Sequence, residues 1–277
     1  MGLPGLRVPA DFCYFKEGNQ AMEHFAMPFG GRLTRYPAAG AAVKPALILC
    51  PGGGYEHCSI REGAPVARAF ARLGIESFVL EYDCEKPPLG LRPLAALSGA
   101  VALVRRNAGR FGVNEARIAV GGFSAGAHLA ALHGAVWERA DRYPADTDLT
   151  LHKPNALVLG YPVVTAGDAG HRGCFDRLAP RERQADFSVE TLVTPAMPRA
   201  FLWHTLDDAT VPVENTLLLE AALRAAGISH EVHLFPHGTH GLALADLETA
   251  DPQKGRLPDR HVGRWLALAA EWLKEQG

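Results

Sequence analysis

Gly122-Phe-Ser124-Ala-Gly126 sets a serine midway between two glycines. This is the G-x-S-x-G spacing that holds a nucleophile on a sharp turn between a strand and a helix. A serine so placed meets an incoming carbonyl, and glycines two residues to either side let neighbouring backbone pass where a Cβ would collide. The spacing alone is weak, because six serines and 29 glycines in 277 residues give about 0.07 such matches by chance. Context strengthens it. The apolar run Arg117-Ile-Ala-Val120 precedes the motif and the apolar stretch Ala127–Val136 follows it, so a strand ends and a helix begins around Ser124. The competing reading is a glycine-rich turn with an incidental serine.

Attack on a carbonyl drives negative charge onto its oxygen, and backbone N–H groups aimed at that oxygen lower the barrier. Pro51-Gly-Gly-Gly-Tyr55 follows the first strongly apolar run, Ala46–Cys50, at the position of an HGGG-type loop with Pro51 in place of the histidine. The amides of Gly53 and Gly54, with that of Ala125 just past the serine, are the candidate oxyanion donors. A plain turn or a dinucleotide loop competes, but His57 stands where G-x-G-x-x-G needs its last glycine. Tyr55 and His57 are candidates to line the alcohol side of a substrate, or else they pack the loop.

A serine hydroxyl also needs a base, and the base needs a group that orients it. One known chain order runs serine, acid, histidine, with the last two on loops after late strands. Strand-like Ala200–Trp203 leads into Asp207-Asp208-Ala-Thr-Val-Pro212, and strand-like Glu231–Phe235 leads into Pro-His237-Gly-Thr-His240-Gly241. Each loop offers two candidates. Gly238 and Gly241 let the backbone turn the His240 ring toward Ser124, which favours it over His237. Between Asp207 and Asp208 the residues themselves decide little, although Asp208 opens a D-x-x-V-P run.

The elements that must position these loops alternate short apolar runs with amphipathic stretches, the pattern of a parallel sheet flanked by helices. Strands are expected at 46–50, 77–81, 117–120, 156–159, 200–203 and 231–235. Helices are expected at 63–73, 93–111 (closed by Gly112), 127–136, from Pro212 to Gly227, and 258–275. Residues 161–198 are polar and irregular and read as a small cap-like insertion over the carboxyl edge of the sheet. With no internal repeat, residues 1–277 read as a single α/β domain.

Composition excludes several classes. Net charge is −2 and neither sign forms runs, which argues against a nucleic-acid partner or an anionic membrane surface. Met1-Gly-Leu-Pro-Gly-Leu-Arg7 lacks the pattern of a secretory leader, and Leu6 stands where myristoylation of Gly2 would want Ser or Thr. No apolar run is long enough to span a bilayer, so a cytoplasmic enzyme is expected. Cys13, Cys50, Cys58, Cys84 and Cys174 show no C-x-x-C spacing and the 12 histidines no ligand spacing, so neither a disulfide framework nor a metal is expected.

Pro51–Tyr55, Gly122–His128, Phe201–Thr205 with Asp208–Pro212, and Phe235–Gly241 resemble bacterial α/β-hydrolases. They are most similar to the acetylesterase and acetylxylan-esterase-like family, related to the hormone-sensitive-lipase type, from about residue 30 to the C-terminus. The resemblance implies an α/β-hydrolase fold, with a mostly parallel central sheet flanked by helices on both faces. It implies Ser124 as nucleophile, Asp208 as acid, His240 as base, and Gly53, Gly54 and Ala125 as oxyanion donors. It further implies serine-dependent hydrolysis of carboxylic esters without a cofactor, on a small-molecule or oligosaccharide ester such as an acetylated sugar. Glu81-Tyr-Asp83-Cys84 departs from a Tyr-Arg pair common in relatives, which bears on the adjacent loop and not on the triad. A serine peptidase or acyltransferase on the same fold stands as the alternative, and a catalytically silent ligand-binding hydrolase fold as one of another class. Oligomeric state is left open, a homodimer being one option.

Overall fold

A strand buried on both faces reads as a continuous apolar run, and five of the expected strands sit in the parallel centre of the sheet for that reason. A computed structural model of the chain describes residues 12–17, 20–40, 42–143 and 147–275. The Met1–Arg7 start lies outside the described residues. The strands are β1 (Phe12–Glu17), β2 (Gln20–Ala26), β3 (Arg32–Tyr36), β4 (Lys44–Cys50), β5 (Glu76–Glu81), β6 (Val113–Phe123), β7 (Ala156–Gly160), β8 (Arg199–Thr205) and β9 (His230–Phe235). They form one sheet in the order β1-β2-β3-β5-β4-β6-β7-β8-β9. Pairing is antiparallel from β1 to β5 and parallel from β5 through β9.

The helices are α1 (Ala64–Arg72), α2 (Arg92–Arg106), α3 (Ala108–Phe111), α4 (Ala125–Val136), α5 (Arg172–Leu178), α6 (Glu214–Ala225) and α7 (Trp265–Lys274). Side chains alternate along each strand, so the sheet feeds two cores. Ala46, Ile48 and Cys50 of β4 face a core built with α2, α4 and α6. Leu47 and Leu49 face the other, with Val66 and Phe70 of α1 and Trp265 and Trp272 of α7. Helices thus cover both faces. Helix α4 is buried along its whole length, which suits the helix that carries the turn at Ser124.

The chain leaves β4 for β5 on one side and returns across it to β6 on the other. The carboxyl ends of β4 and β6 therefore meet at a topological switch point, where α/β sheets open a crevice for ligands. Among the described residues, no helix is long and apolar enough to cross a membrane. Cys50, Cys58, Cys84 and Cys174 are free thiols, while the Cys13 side chain lies outside the described set.

Three features differ from the sequence reading. Strands β1, β2 and β3 have no expected counterpart; Glu23 interrupts the apolar pattern of β2, and Arg32 and Arg35 that of β3. Arg35 on β3 ion-pairs with Glu23 and with buried Glu76, an arrangement that only the paired sheet makes visible. The helix expected over 93–111 breaks at Asn107, whose side-chain amide donates to Leu103 O, and Gly112 at φ +64° closes the second piece. The last helix begins at Trp265 and not at Pro258, because the Asp259 carboxylate takes the amides of His261 and Val262 and holds a turn there.

Residues 161–198 leave the carboxyl end of β7 but are no loose polar cover. Val163, Val164, Phe175, Leu178, Phe187 and Val189 are buried in the same core as α4. Asp168, Arg172, Asp176, Arg181, Glu182 and Arg183 are exposed on this stretch, while Thr165 and Ser188 are buried.

Candidate active site

Ser124 sits between β6 and α4 at φ +54°, ψ −120°, a left-handed backbone that a residue with a Cβ adopts only under restraint. The restraint comes from its neighbours. Its amide donates to Gly160 O at 3.1 Å, and its carbonyl accepts from Val163 at 3.2 Å and His128 at 3.0 Å. The flanking glycines are a steric necessity. A Cβ on Gly126 would lie 2.0 Å from Cys50 O, and one on Gly122 would lie 2.4 Å from the same oxygen. The end of β4 runs directly under the turn and lifts Ser124 above it.

Adjacency of β8 and β9 brings their two loops together, Thr205 lying opposite Phe235. His240 Nε2 is 2.9 Å from Ser124 Oγ, and His240 Nδ1 is 2.7 Å from Asp208 Oδ2. A proton on Nδ1 toward the carboxylate leaves Nε2 as the acceptor for the serine hydroxyl, the arrangement that a general base requires. Asp208 Oδ1 accepts from the Thr210 and Val211 amides at 2.9 Å each. Burial pushes the Asp208 carboxyl up, but hydrogen bonds from His204, His240 and the Val211 amide outweigh it and hold the group well below the usual carboxylate range. The outer pair is separate: His237 Nδ1 lies 3.2 Å from Asp207 Oδ2, with both side chains exposed.

The glycine loop lies against the serine, since a Cβ on Gly52 would meet Ser124 Cβ at 3.0 Å. Gly53 stands at φ +121° with His57 O where its Cβ would be, a position open only to glycine. The Gly52 amide is taken by Glu62 Oε2 at 2.8 Å. Among the described residues, no protein acceptor takes the amides of Gly53, Gly54 or Ala125. The expected site residues Ser124, His240, Asp208, Gly53, Gly54 and Ala125 therefore converge where β4, β6, β8 and β9 end. Among the described residues, no cluster of His, Cys, Asp and Glu could hold a metal ion.

A family model described as BD-FAE matches residues 35–156. The chain is 34% identical over 210 residues to endo-1,4-beta-xylanase B of Butyrivibrio fibrisolvens, covering 73% of this chain and 33% of that protein. It is 27% identical over 211 residues to an acetylxylan esterase of Xylanibacter ruminicola, covering 72% of this chain and 41% of that one. The chain spans a third to about three-fifths of the length of the curated relatives it matches. Among solved structures, the acetyl ester-xyloside bifunctional hydrolase from Caldicellulosiruptor lactoaceticus superposes with a TM-score of 0.76 at 34% identity, over 89% of this chain and 88% of that one. The chain belongs to the esterase-like α/β-hydrolases.

Two expectations for this α/β-hydrolase part ways at the substrate side. Tyr55 is fully buried, its hydroxyl lies 2.8 Å from His128 Nδ1 and its ring packs against Tyr82. It therefore supports the loop from beneath and has no surface to offer an alcohol. A tyrosine ring can be stabilised by burial as readily as by a ligand, and sequence spacing does not distinguish the two. His57 is exposed and lines a polar cleft of about 740 Å³ with Arg32, Glu56, Asp83, Lys86 and Arg92.

Several residues that frame the α/β-hydrolase site were not singled out by the sequence reading. His204 Nε2 donates to Val211 O at 2.9 Å and lies 3.4 Å from Asp208 Oδ2, which steadies the acid loop from below. Arg177 of α5 donates to Tyr55 O at 3.0 Å and to Cys84 O, tying residues 161–198 to the glycine loop. His128, three residues after Ala125, donates through Nε2 to Phe187 O at 2.8 Å, a second tie to the same stretch. The Gly122–His128 block held a hint of that contact, because a histidine in an otherwise apolar buried helix needs partners.

Proposed function

We propose that this chain is a serine-dependent carboxylic ester hydrolase that removes short acyl groups, acetyl foremost, from sugars or oligosaccharides. The observation that carries the reading is the hydrogen-bonded line from Ser124 Oγ through His240 to Asp208, beside three backbone amides that have no protein acceptor among the described residues. In this reading His240 takes the Ser124 proton as the oxygen attacks the ester carbonyl. The amides of Gly53, Gly54 and Ala125 receive the oxyanion. His240 then protonates the leaving alcohol, and later deprotonates the water that frees the acid and restores Ser124. Asp208 fixes the imidazole tautomer and stabilises the imidazolium. No cofactor enters the cycle.

The carbohydrate part of the proposal rests on the company the chain keeps. One relative is named for cutting xylan, another for deacetylating it, and a similar structure for acetyl ester and xyloside hydrolysis. We place the chain on that acetylesterase branch, related to the hormone-sensitive-lipase type. Short acyl groups suit residues 161–198, most of whose large apolar side chains are buried in the core and so are not free to clamp a long acyl tail. The test is hydrolysis of p-nitrophenyl esters and acetylated xylo-oligosaccharides by wild-type protein and Ser124→Ala. Activity on both substrate sets, reduced at least about 1000-fold in the variant, is expected. A Ser124→Ala protein with more than a few per cent of wild-type kcat sinks the assignment.

A further inference from the structure

Glu62 is buried, with 4% of its surface exposed, and carries a carboxylate that no step of the proposed cycle uses. Its two oxygens reach opposite walls of the site. Oε2 accepts from the Gly52 amide and Oε1 from the Tyr161 hydroxyl, each at 2.8 Å. The Tyr161 oxygen accepts in turn from the Ala243 amide at 3.0 Å, three residues past His240. The Tyr161 ring stands edge-to-face with the His240 ring, centroids 5.0 Å apart. One carboxylate and one tyrosine thus span from the oxyanion loop to the histidine loop.

Two further observations show that this bridge is held firmly. Tyr161 sits at φ +35°, a left-handed backbone costly for a bulky residue, with its amide bonded to Trp203 O at 2.7 Å. Arg61, next to Glu62, runs in parallel: its guanidinium donates to Gly241 O and to Thr249 O at 2.8 Å each. Residues 61 and 62 therefore tie the same segment to both loops.

We propose that Glu62 is a positioning residue: it sets the Gly53 and Gly54 amides against Ser124 and, through Tyr161, the ring of His240. The proposal rests on the ester-hydrolase reading above. With its amide committed to Glu62, Gly52 cannot serve the oxyanion, and the two amides that follow are left for it. Gly52 has little room to move, since Phe123 O and Ser124 Cβ stand 2.7 and 3.0 Å from where its Cβ would be. A hydrogen bond to a carboxylate is about twice as strong as a neutral one, which suits a tie that must not drift. Misplacement by about 1 Å at such a site costs about 100-fold in rate.

The experiment compares wild type, Glu62→Ala, Glu62→Gln, Tyr161→Phe and the Gln/Phe double variant on p-nitrophenyl acetate. Thermal unfolding and labelling of Ser124 by a fluorophosphonate are read in parallel. Glu62→Ala is expected to lower kcat about 100-fold and Glu62→Gln about tenfold, with KM within about threefold of wild type, because the lost interaction acts on the transition state. Tyr161→Phe added to Glu62→Gln is expected to cost no more than about twofold further, as for two members of one network. If Glu62→Ala does not fold, the near-isosteric Gln variant and its double carry the same test. A Glu62→Gln enzyme within twofold of wild-type kcat, or a loss confined to KM, overturns the positioning role alone. A wild-type protein that hydrolyses no ester and is not labelled at Ser124 overturns the ester-hydrolase reading and this inference with it.

Discussion

His240 and Asp208 meet at 2.7 Å beneath Ser124, while Asp207 and His237, their neighbours in the same two loops, pair at 3.2 Å on the surface. The inner aspartate binds the inner histidine, and the outer binds the outer. Asp208→Asn leaves a side chain of the same shape but favours the wrong imidazole tautomer, so kcat on p-nitrophenyl acetate should fall by about 10³ to 10⁴. His240→Ala should do at least as much. Asp207→Asn and His237→Ala should stay within about threefold of wild type, since an exposed pair contributes little. A larger loss in Asp207→Asn than in Asp208→Asn would contradict the pairing.

The glycines around Ser124 and those of the Gly52–Gly54 loop meet different surroundings, and stability measurements separate them. Gly126→Ala forces a Cβ to 2.0 Å from Cys50 O, where only backbone could yield. Urea denaturation should show a loss of at least about 3 kcal/mol, or the chain should fail to fold. Gly54 has nothing within 4 Å of its Cβ position and only its φ of +66° to oppose a side chain. Gly54→Ala should therefore cost about 1 to 2 kcal/mol. Equal losses in the two variants would refute the steric argument.

Stability should fall on mild acidification because of buried histidines on α4. Burial pushes His128 down to about 4 and His133 down to about 3. Unfolded, each titrates near 6.5, so below that pH the unfolded chain binds more protons than the folded one. The contribution is complete above about pH 6.5 and is lost as pH falls from there toward 4 for His128 and toward 3 for His133. At pH 5 each histidine should remove about 2 kcal/mol relative to pH 7.5. Urea midpoints measured at both values test this, and an unchanged midpoint would contradict it.

Acyl-chain preference reads the acid side of the site. Each methylene that finds an apolar channel gains about 0.8 kcal/mol, so a long-chain enzyme would improve steadily from acetate to octanoate. Residues 161–198 bury most of their large apolar side chains in the core, and kcat/KM should instead fall from acetate or butyrate to octanoate. A p-nitrophenyl octanoate preference would overturn the short-acyl proposal and leave the roles of Ser124 and His240 standing.

The features legible in the sequence are those encoded within a few neighbouring residues. Ala46–Cys50 and Ala156–Gly160 are strands because their apolar runs are buried on both faces, and Gly122–Gly126 is a turn because its glycines admit close backbone. Gly53, Gly54, Ser124 and the two Asp/His loops could be marked for the same reason. Charged strands β2 and β3 could not, since the partners that satisfy Arg35 and Glu76 come from different strands. Nor, without the family resemblance, could the partnership of Asp208 with His240, and neither could the packing of Tyr55 on His128 or the reach of Glu62 to Tyr161. Those contacts join residues 32, 73 and 99 positions apart. Hydrophobic period and turn chemistry act along the chain, whereas the order of strands in the sheet decides which distant loops share a wall. Only the folded sheet, with β4 beside β6 and β8 beside β9, brings a serine within 2.9 Å of a histidine 116 residues away.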